Sequence, residues 1–319
     1  MPQKITAAEA TYYLGFDGGG TKTECVLADS EGNILSKASA GASNPLRAGY
    51  TKAWFSLSEA ADLLLSRQKI TASHIRGLCA GLGGASRTGV GRRAVSFFEY
   101  NFPNAQVRVT SDLEIALEAA FGSGEGIVLL GGTGSASLGR DAHGRTMRVG
   151  GRGPWFSDEG SAYDIGRQAV RAVSLAEEKR GPATALSKRL FAWNECRDWE
   201  SLMDRVAKSP DDVFPRTFPL VAQVADAGDE VARNILERAA GNLADLAMAV
   251  ARELGWLDRP ASIAKVGGVF GRSKYFDEAI EVQVKRALPQ AHLMCAKISP
   301  AEAAVQIAIR LTCAKGNAA

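Results

Sequence analysis

One short pattern occurs twice, and that repetition constrains this chain more than any other feature. The apolar run Tyr12-Tyr13-Leu14-Gly15-Phe16 leads into Asp17-Gly18-Gly19-Gly20-Thr21-Lys22-Thr23, and Glu24 to Asp29 follows. A turn signal at Glu31-Gly32-Asn33 precedes a further extended segment, Ile34 to Ala40. About 113 residues later, Gly126-Ile127-Val128-Leu129-Leu130 leads into Gly131-Gly132-Thr133-Gly134-Ser135. Ala136 to Gly139, a turn at His143-Gly144, and Arg145 to Val149 complete the second copy. Apolar runs bounded by glycine predict strands. Self-similarity at a fixed offset predicts duplication of a βββα-type unit, hence an α/β chain of two similar domains.

Helical patterns fill the space between the glycine-rich turns. Residues 51–67 place Trp54, Leu57, Ala61, Leu64 and Leu65 on one face. Short strands are predicted at Ile75–Ala80 and Val107–Thr110. The second runs into Ser111-Asp112-Leu113-Glu114, a capping-box pattern for a helix ending near Gly122. Helices are predicted over 161–180 and 229–254, with irregular helical material at 183–228 broken by proline at 210 and at 215–219. A strand at Ile263–Val266 precedes Gly267-Gly268-Val269-Phe270-Gly271, and Ser299-Pro300-Ala301-Glu302 opens a last helix. The expected domains are 1–118 and 119–299, with a C-terminal helix over 300–315 completing the first.

Composition removes several function classes. Over 319 residues the net charge is only +3, too small to point to nucleic acid or an anionic membrane. Five scattered cysteines fit neither a disulfide framework nor a zinc knuckle, and three isolated histidines do not suggest an imidazole metal site. No run reaches 18 apolar residues, and the first eleven residues read as a tail rather than a signal peptide. A reduced, cytoplasmic setting is the expectation.

The glycine turns suit phosphate. Successive glycines let backbone N–H groups point into one concavity. Thr21 and Thr23 would add hydroxyls there, Lys22 a charge, and Asp17 a carboxylate able to hold Mg²⁺ through water. A plain hairpin turn is the competing reading of Asp17-Gly18. The P-loop is excluded because Thr21 intrudes before Lys22, and Gly81-Leu82-Gly83-Gly84-Ala85-Ser86 lacks the last glycine of a dinucleotide fingerprint. Gly132, Thr133, Gly134 and Ser135 offer a second nest. Gly267 and Gly268 would let a flat ring or ribose approach. Trp155-Phe156 has two readings, stacking on a sugar face or packing in a core, the second being the commoner fate of such a pair.

Together these segments resemble the actin-like ATPase superfamily, and within it the BadF-type ATPase family and its N-acetylglucosamine kinases. The resemblance rests on Asp17–Thr23, Ala42-Ser43-Asn44, Thr110-Ser111-Asp112, Gly131–Ser135, and Gly150-Gly151-Arg152-Gly153 with Asp158-Glu159-Gly160-Ser161-Ala162-Tyr163. It implies a ribonuclease H-like fold in two lobes, with ATP and Mg²⁺ on Asp17, Gly18, Gly19, Gly20, Thr21, Lys22, Thr23, Gly132, Thr133, Gly134, Ser135, Gly267 and Gly268 in a cleft between them. The small-molecule substrate would be an amino sugar, most simply N-acetylglucosamine phosphorylated at its 6-hydroxyl. Asn44, Asp112, Gly151, Arg152, Asp158 and Ala162 would bind it, with Asp112 as the catalytic base at a helix start that favours a carboxylate. A homodimer is compatible with the resemblance.

Arg152 stands where the family often has tryptophan. Its guanidinium suits an acetyl oxygen or an acidic lactyl group and repels the ammonium of glucosamine. Glucosamine and N-acetylmuramic acid kinases are the alternatives within the class. Outside it stand a BadF-type dehydratase activator and a non-kinase actin-like ATPase. The activator needs cysteines near the second phosphate motif to hold an iron–sulfur cluster, and residues 80–195 contain none.

Overall fold

The computed structural model describes residues 11–316 and divides into two compact units. One runs to Gly122 and takes up the chain again from Lys297; the other spans Ser123–Ala296. The expected tail lies almost wholly outside the described residues.

In the first unit, β1 (Tyr12–Gly18), β2 (Thr23–Ala28) and β3 (Ile34–Ala40) form an antiparallel meander. Two short-linked helices, α1 (Pro45–Ala48) and α2 (Tyr50–Gln68), lead to β4 (Ile75–Leu82), which runs parallel to β1. After α3 (Thr88–Asn101), β5 (Gln106–Thr110) adds parallel to β4, and α4 (Asp112–Phe121) follows at once. The sheet order is β3-β2-β1-β4-β5.

The second unit repeats that order. β6 (Gly126–Gly131), β7 (Ser135–Arg140) and β8 (Thr146–Gly150) form the meander. Five helices follow: α5 (Ala162–Glu177), α6 (Leu190–Trp193), α7 (Trp199–Lys208), α8 (Pro210–Asp226) and α9 (Glu230–Glu253). β9 (Ala261–Val266) then pairs parallel to β6, and beyond α10 (Lys274–Ala287) β10 (Ala291–Cys295) pairs parallel to β9. The resulting order, β8-β7-β6-β9-β10, is that of the first sheet. The duplication is therefore one of topology: two ribonuclease H-like sheets, each opening on a hairpin closed by a glycine turn.

Alternation along β1 explains how the first sheet is covered. Leu14 and Phe16 face α2 and α3 in a core with Leu57, Leu64 and Phe98. Tyr13 lies on the other face with Val26, Cys79 and the residues Ala301, Ala304, Val305 and Ala308 of the last helix, α11 (Pro300–Gly316). Gly15 lets α11 come close, since a Cβ there would stand 2.2 Å from the Ala301 carbonyl oxygen. Lys37–Glu302 and Arg310–Glu118 ion pairs, both at 2.6 Å, tie the helix down further.

Two expectations need correction. The break at 210 holds, because α7 ends at Lys208 and Pro210 opens α8 as its first residue. The break at 215–219 does not occur: α8 runs straight through Pro215 and Pro219. An interior proline costs a helix about 3 kcal/mol. Here that cost is outweighed by burial of Val213, Phe214, Phe218, Leu220 and Val221 along the same helix. Trp155 and Phe156 do not enter a core; they are 78% and 82% exposed. The amides of Phe156 and Ser157 both fold back onto the Gly153 carbonyl, a tight turn that throws the two side chains outward.

Candidate nucleotide and substrate site

Each unit carries a glycine turn at the end of its first hairpin. In the first unit, Gly18 pairs with Thr23 and the Gly19 amide donates to Lys22 O at 2.9 Å, which leaves Gly20-Thr21-Lys22 at the tip. The carbonyls behind the tip gather two further loops. Gly18 O accepts from Gly83 N at 2.7 Å, and Gly19 O accepts from Ser43 and Asn44 N at 3.1 and 3.0 Å. Gly18 can be nothing larger, since its Cβ would meet the buried Ser43 hydroxyl at 2.3 Å.

Thr23 corrects the expectation that it offers a hydroxyl to phosphate. It is fully buried and its Oγ1 donates to Gly41 O at 2.7 Å, which fixes the hairpin base. Lys22 is exposed and lies 3.7 Å from Glu24. Asn44 caps α1, with Oδ1 accepting from Leu46 N at 3.0 Å. The absence of a side chain at Gly83 makes room for its amide group.

Asp112 opens α4 directly after β5. The predicted capping box is present: Ser111 Oγ accepts from Glu114 N, and Glu114 Oε2 accepts from Ser111 N at 3.0 Å. Glu114 also accepts from the Thr110 hydroxyl. Burial works to raise the Glu114 pKa, but these hydrogen bonds outweigh it and hold the carboxyl below its ordinary value. Capping is thus done by Ser111 and Glu114, while the half-buried Asp112 carboxylate lies close enough to Asp17 to act on it. Asp17 is pushed up to about 7, first by burial, then by the Asp112 and Glu24 carboxylates, with Lys22 pulling the other way. A carboxyl raised by its acidic neighbours in this way marks a site short of positive charge.

In the second unit, Gly131 pairs with Ser135, and Gly132 N donates to Gly134 O at 2.9 Å. The sequence did not reveal how tightly this turn is packed from behind. Ala162 N, at the start of α5, donates to Gly132 O at 2.9 Å. Ser135 N donates to Asp158 Oδ1 at 3.3 Å, and Ser135 Oγ donates to Glu159 O at 2.7 Å. The Ser135 hydroxyl is therefore engaged inside the protein. Asp158 is buried, carries a left-handed backbone at φ 69°, and sets its carboxylate against Gly134. Aspartate enters that region more readily than most residues, because its short polar side chain can bond locally.

The predicted ring-approach glycines meet the second turn directly. Val269 N donates to Gly131 O at 3.0 Å. Gly267 has φ 109°, and the face of Gly268 is open. Near them lies an open surface depression of about 550 Å³ lined by both basic and acidic residues: Lys265, Gly271, Arg272, Ser273, Lys274, Asp277, Glu278 and Glu281. Gly150, Gly151 and Gly153 all have positive φ, and Gly151 N donates to Ser135 O at 2.9 Å, so the loop carrying the exposed Arg152 is fastened to the same turn.

His74 has a local role, its Nδ1 accepting from Thr71 N at 3.2 Å. No helix among the described residues is long and apolar enough to cross a membrane.

Known proteins are similar to this chain over nearly its whole length. The chain is 28% identical over 301 residues to the N-acetylmuramic acid/N-acetylglucosamine kinase of Clostridium acetobutylicum, covering 93% of this chain and 98% of that protein. It is 29% identical over 312 residues to the N-acetyl-D-glucosamine kinase of Dictyostelium discoideum, covering 93% and 97%. The solved structure of a candidate N-acetylglucosamine kinase from Chromobacterium violaceum matches with a TM-score of 0.75 at 25% identity, covering 94% of this chain and 99% of that one. The fold is that of the actin-like ATPases. With residues 14–308 matching its sequence profile, the chain belongs to the BadF/BadG/BcrA/BcrD ATPase family.

Proposed function

We propose that this protein is an ATP- and Mg²⁺-dependent kinase that transfers the γ-phosphoryl group to the 6-hydroxyl of N-acetylglucosamine. The observation that carries the reading is the Asp112 carboxylate, positioned at the first turn of α4, relieved of capping by Ser111 and Glu114, and acting on Asp17 at the first glycine turn. The similarity to the two curated sugar kinases, each over 93% of the chain, supports the same reading.

Phosphoryl transfer asks the protein mainly for positioning and charge. Asp112 accepts the proton of the sugar hydroxyl as its oxygen attacks the γ-phosphorus, and ADP leaves. The amides of Gly20–Lys22 and of Thr133–Gly134 receive phosphate oxygens. Gly267 and Gly268 admit the adenosine. Asn44, Gly151, Arg152, Asp158 and Ala162 contact the sugar. Asp17 fits Mg²⁺, because its carboxyl is crowded by other carboxylates and lies beside a phosphate-type turn. When bound, the ion neutralises charge on the phosphates.

The test is ADP release with ATP, Mg²⁺ and a panel of glucose, glucosamine, N-acetylglucosamine and N-acetylmannosamine. N-acetylglucosamine is expected to lead and glucosamine to trail, since the Arg152 guanidinium repels its ammonium. If no sugar accelerates ADP release, the reading is wrong.

A further inference from the structure

Four of the five tryptophans in this chain have a partner. Trp54 stacks on Phe97 with ring centroids 5.1 Å apart, and Trp199 meets Phe191 edge-on at 5.2 Å. Trp193 Nε1 donates to Arg216 O at 2.7 Å, and the buried Trp256 lies under the Arg259 guanidinium. Trp155 is the exception. It is 78% exposed and its neighbour Phe156 is 82% exposed, and neither side chain has a ring contact or hydrogen bond among the described residues.

The loop that carries the pair is held at both ends. Gly151 N donates to Ser135 O at 2.9 Å, and Phe156 N and Ser157 N donate to Gly153 O at 3.2 and 2.9 Å. Pro154 fixes the backbone just before Trp155. Asp158, two residues beyond Phe156, is buried and accepts from Ser135 N. Two large rings in water forgo favourable burial, and a fastened loop cannot fold back to cover them. Adjacent exposed apolar side chains rimmed by polar residues mark a ligand surface. In the chain the pair lies between Arg152 and Asp158, which the kinase reading gives to the sugar, so the rings continue that surface.

We propose that Trp155 and Phe156 form a platform for a second sugar ring, so that the enzyme acts on β-linked disaccharides of N-acetylglucosamine as well as on the free sugar. A pyranose with equatorial substituents turns its axial C–H bonds to its two faces, and such a face is apolar and fits flat on an aromatic ring. A β-linkage to an equatorial oxygen extends the chain of rings away from the first, toward a neighbouring platform. One ring takes the sugar contacts given above and loses its 6-hydroxyl proton to Asp112 as that oxygen takes the γ-phosphoryl group and ADP leaves. The other ring lies on Trp155 and Phe156. This inference rests on the kinase reading above and keeps its sugar. An adenine base is the other flat ligand close to this loop, because the loop is fastened to the second glycine turn.

The experiment compares the wild type with Trp155→Ala and Phe156→Ala on N-acetylglucosamine and on its β-1,4-linked dimer, N,N′-diacetylchitobiose. It reads kcat/KM by ADP release, and KM for ATP. The wild type is expected to use the dimer at least as well as the monomer, and each variant to lower the dimer-to-monomer ratio by at least about fivefold, as loss of a stacked ring requires. The ratio is taken within each variant, so a partial folding defect cancels. Without nucleotide, the dimer should shift the tryptophan fluorescence of the wild type and not that of Trp155→Phe. A smaller change in the ratio, or no fluorescence shift in the wild type, overturns the proposal. So does an equal fall on both sugars with a raised KM for ATP, which assigns the rings to the adenine. If the wild type turns over N-acetylglucosamine but not the dimer, the inference falls and the kinase reading stands. If it turns over no sugar, both fall.

Discussion

Gly267 rests directly on Gly131: a Cβ on Gly267 would lie 2.4 Å from the Gly131 carbonyl oxygen and 3.0 Å from Gly132 N. The strand-end glycine of β9 and the glycine turn after β6 are thus one packed unit. Gly267→Ala is expected to strain its own left-handed backbone and to push the second turn aside. The cost in stability should be about 2–4 kcal/mol, measured by denaturant unfolding. ADP should no longer raise the melting temperature. A variant that keeps both stability and ADP response would show that this contact does not shape the nucleotide site.

Asp112→Asn should lower turnover by ~10²–10⁴, the usual worth of a general base, with ATP affinity nearly intact. Turnover within a few-fold of the wild type would remove Asp112 from the proton transfer.

Asp17 gives a pH signature whose sign follows from the direction of its shift. A carboxyl raised from 3.8 to about 7 favours its protonated form in the folded protein. Its ionisation therefore costs stability progressively as pH rises from about 4 to about 7, and the full cost stands above that. Without ligands, Asp17→Asn should be more stable than the wild type at pH 8 by about 1–3 kcal/mol, and the difference should vanish near pH 4. Mg²⁺ and ATP reverse the balance, because a metal needs the ionised carboxylate. Their joint binding should release about half a proton at pH 7 and close to one at pH 6, read by calorimetry in buffers of different ionisation enthalpy. No proton release at pH 6 would remove Asp17 from metal binding.

The capping box should show the opposite sign. The Glu114 carboxyl sits below its ordinary 4.5, so it stabilises the fold above that value and loses the contribution as pH falls through its folded value. Glu114→Gln should cost about 0.5–1 kcal/mol at pH 7, a modest figure because the group keeps partial access to solvent. Equal stabilities of the two proteins at pH 7 would mean that the cap does not hold α4 in place.

Much of this architecture is legible in the residues. The two glycine turns, the strands around them and the Ser111–Glu114 box carry local chemistry that needs no tertiary partner. Other elements escape for identifiable reasons. In α3, Val90, Ala94 and Phe98 keep the period of a helix, but Gly89 and Gly91 near its start mask the signal. In α10, Ser273 caps a run of Phe276, Ile280 and Val284, a pattern that was there to be found. Pro215 and Pro219 are strong local breakers, and only burial of the surrounding α8 side chains overrides them. At the candidate site, residue type alone does not show that the Thr23 and Ser135 hydroxyls are spent on the carbonyls of Gly41 and Glu159.

The return of α11 to the sheet of β1 sets an order of assembly. Its residues Ala301, Ala304, Val305 and Ala308 form one wall of the core behind Tyr13 and Val26, residues made nearly 300 positions earlier. A chain emerging from the ribosome must hold that sheet face uncovered until its final helix has been synthesised. The unit spanning Ser123–Ala296, by contrast, is contiguous and can close as soon as it has emerged. Folding in the cell would then run against the order of synthesis, with the first-made strands the last to be sealed, and their exposed face is what chaperones would have to shield in the meantime.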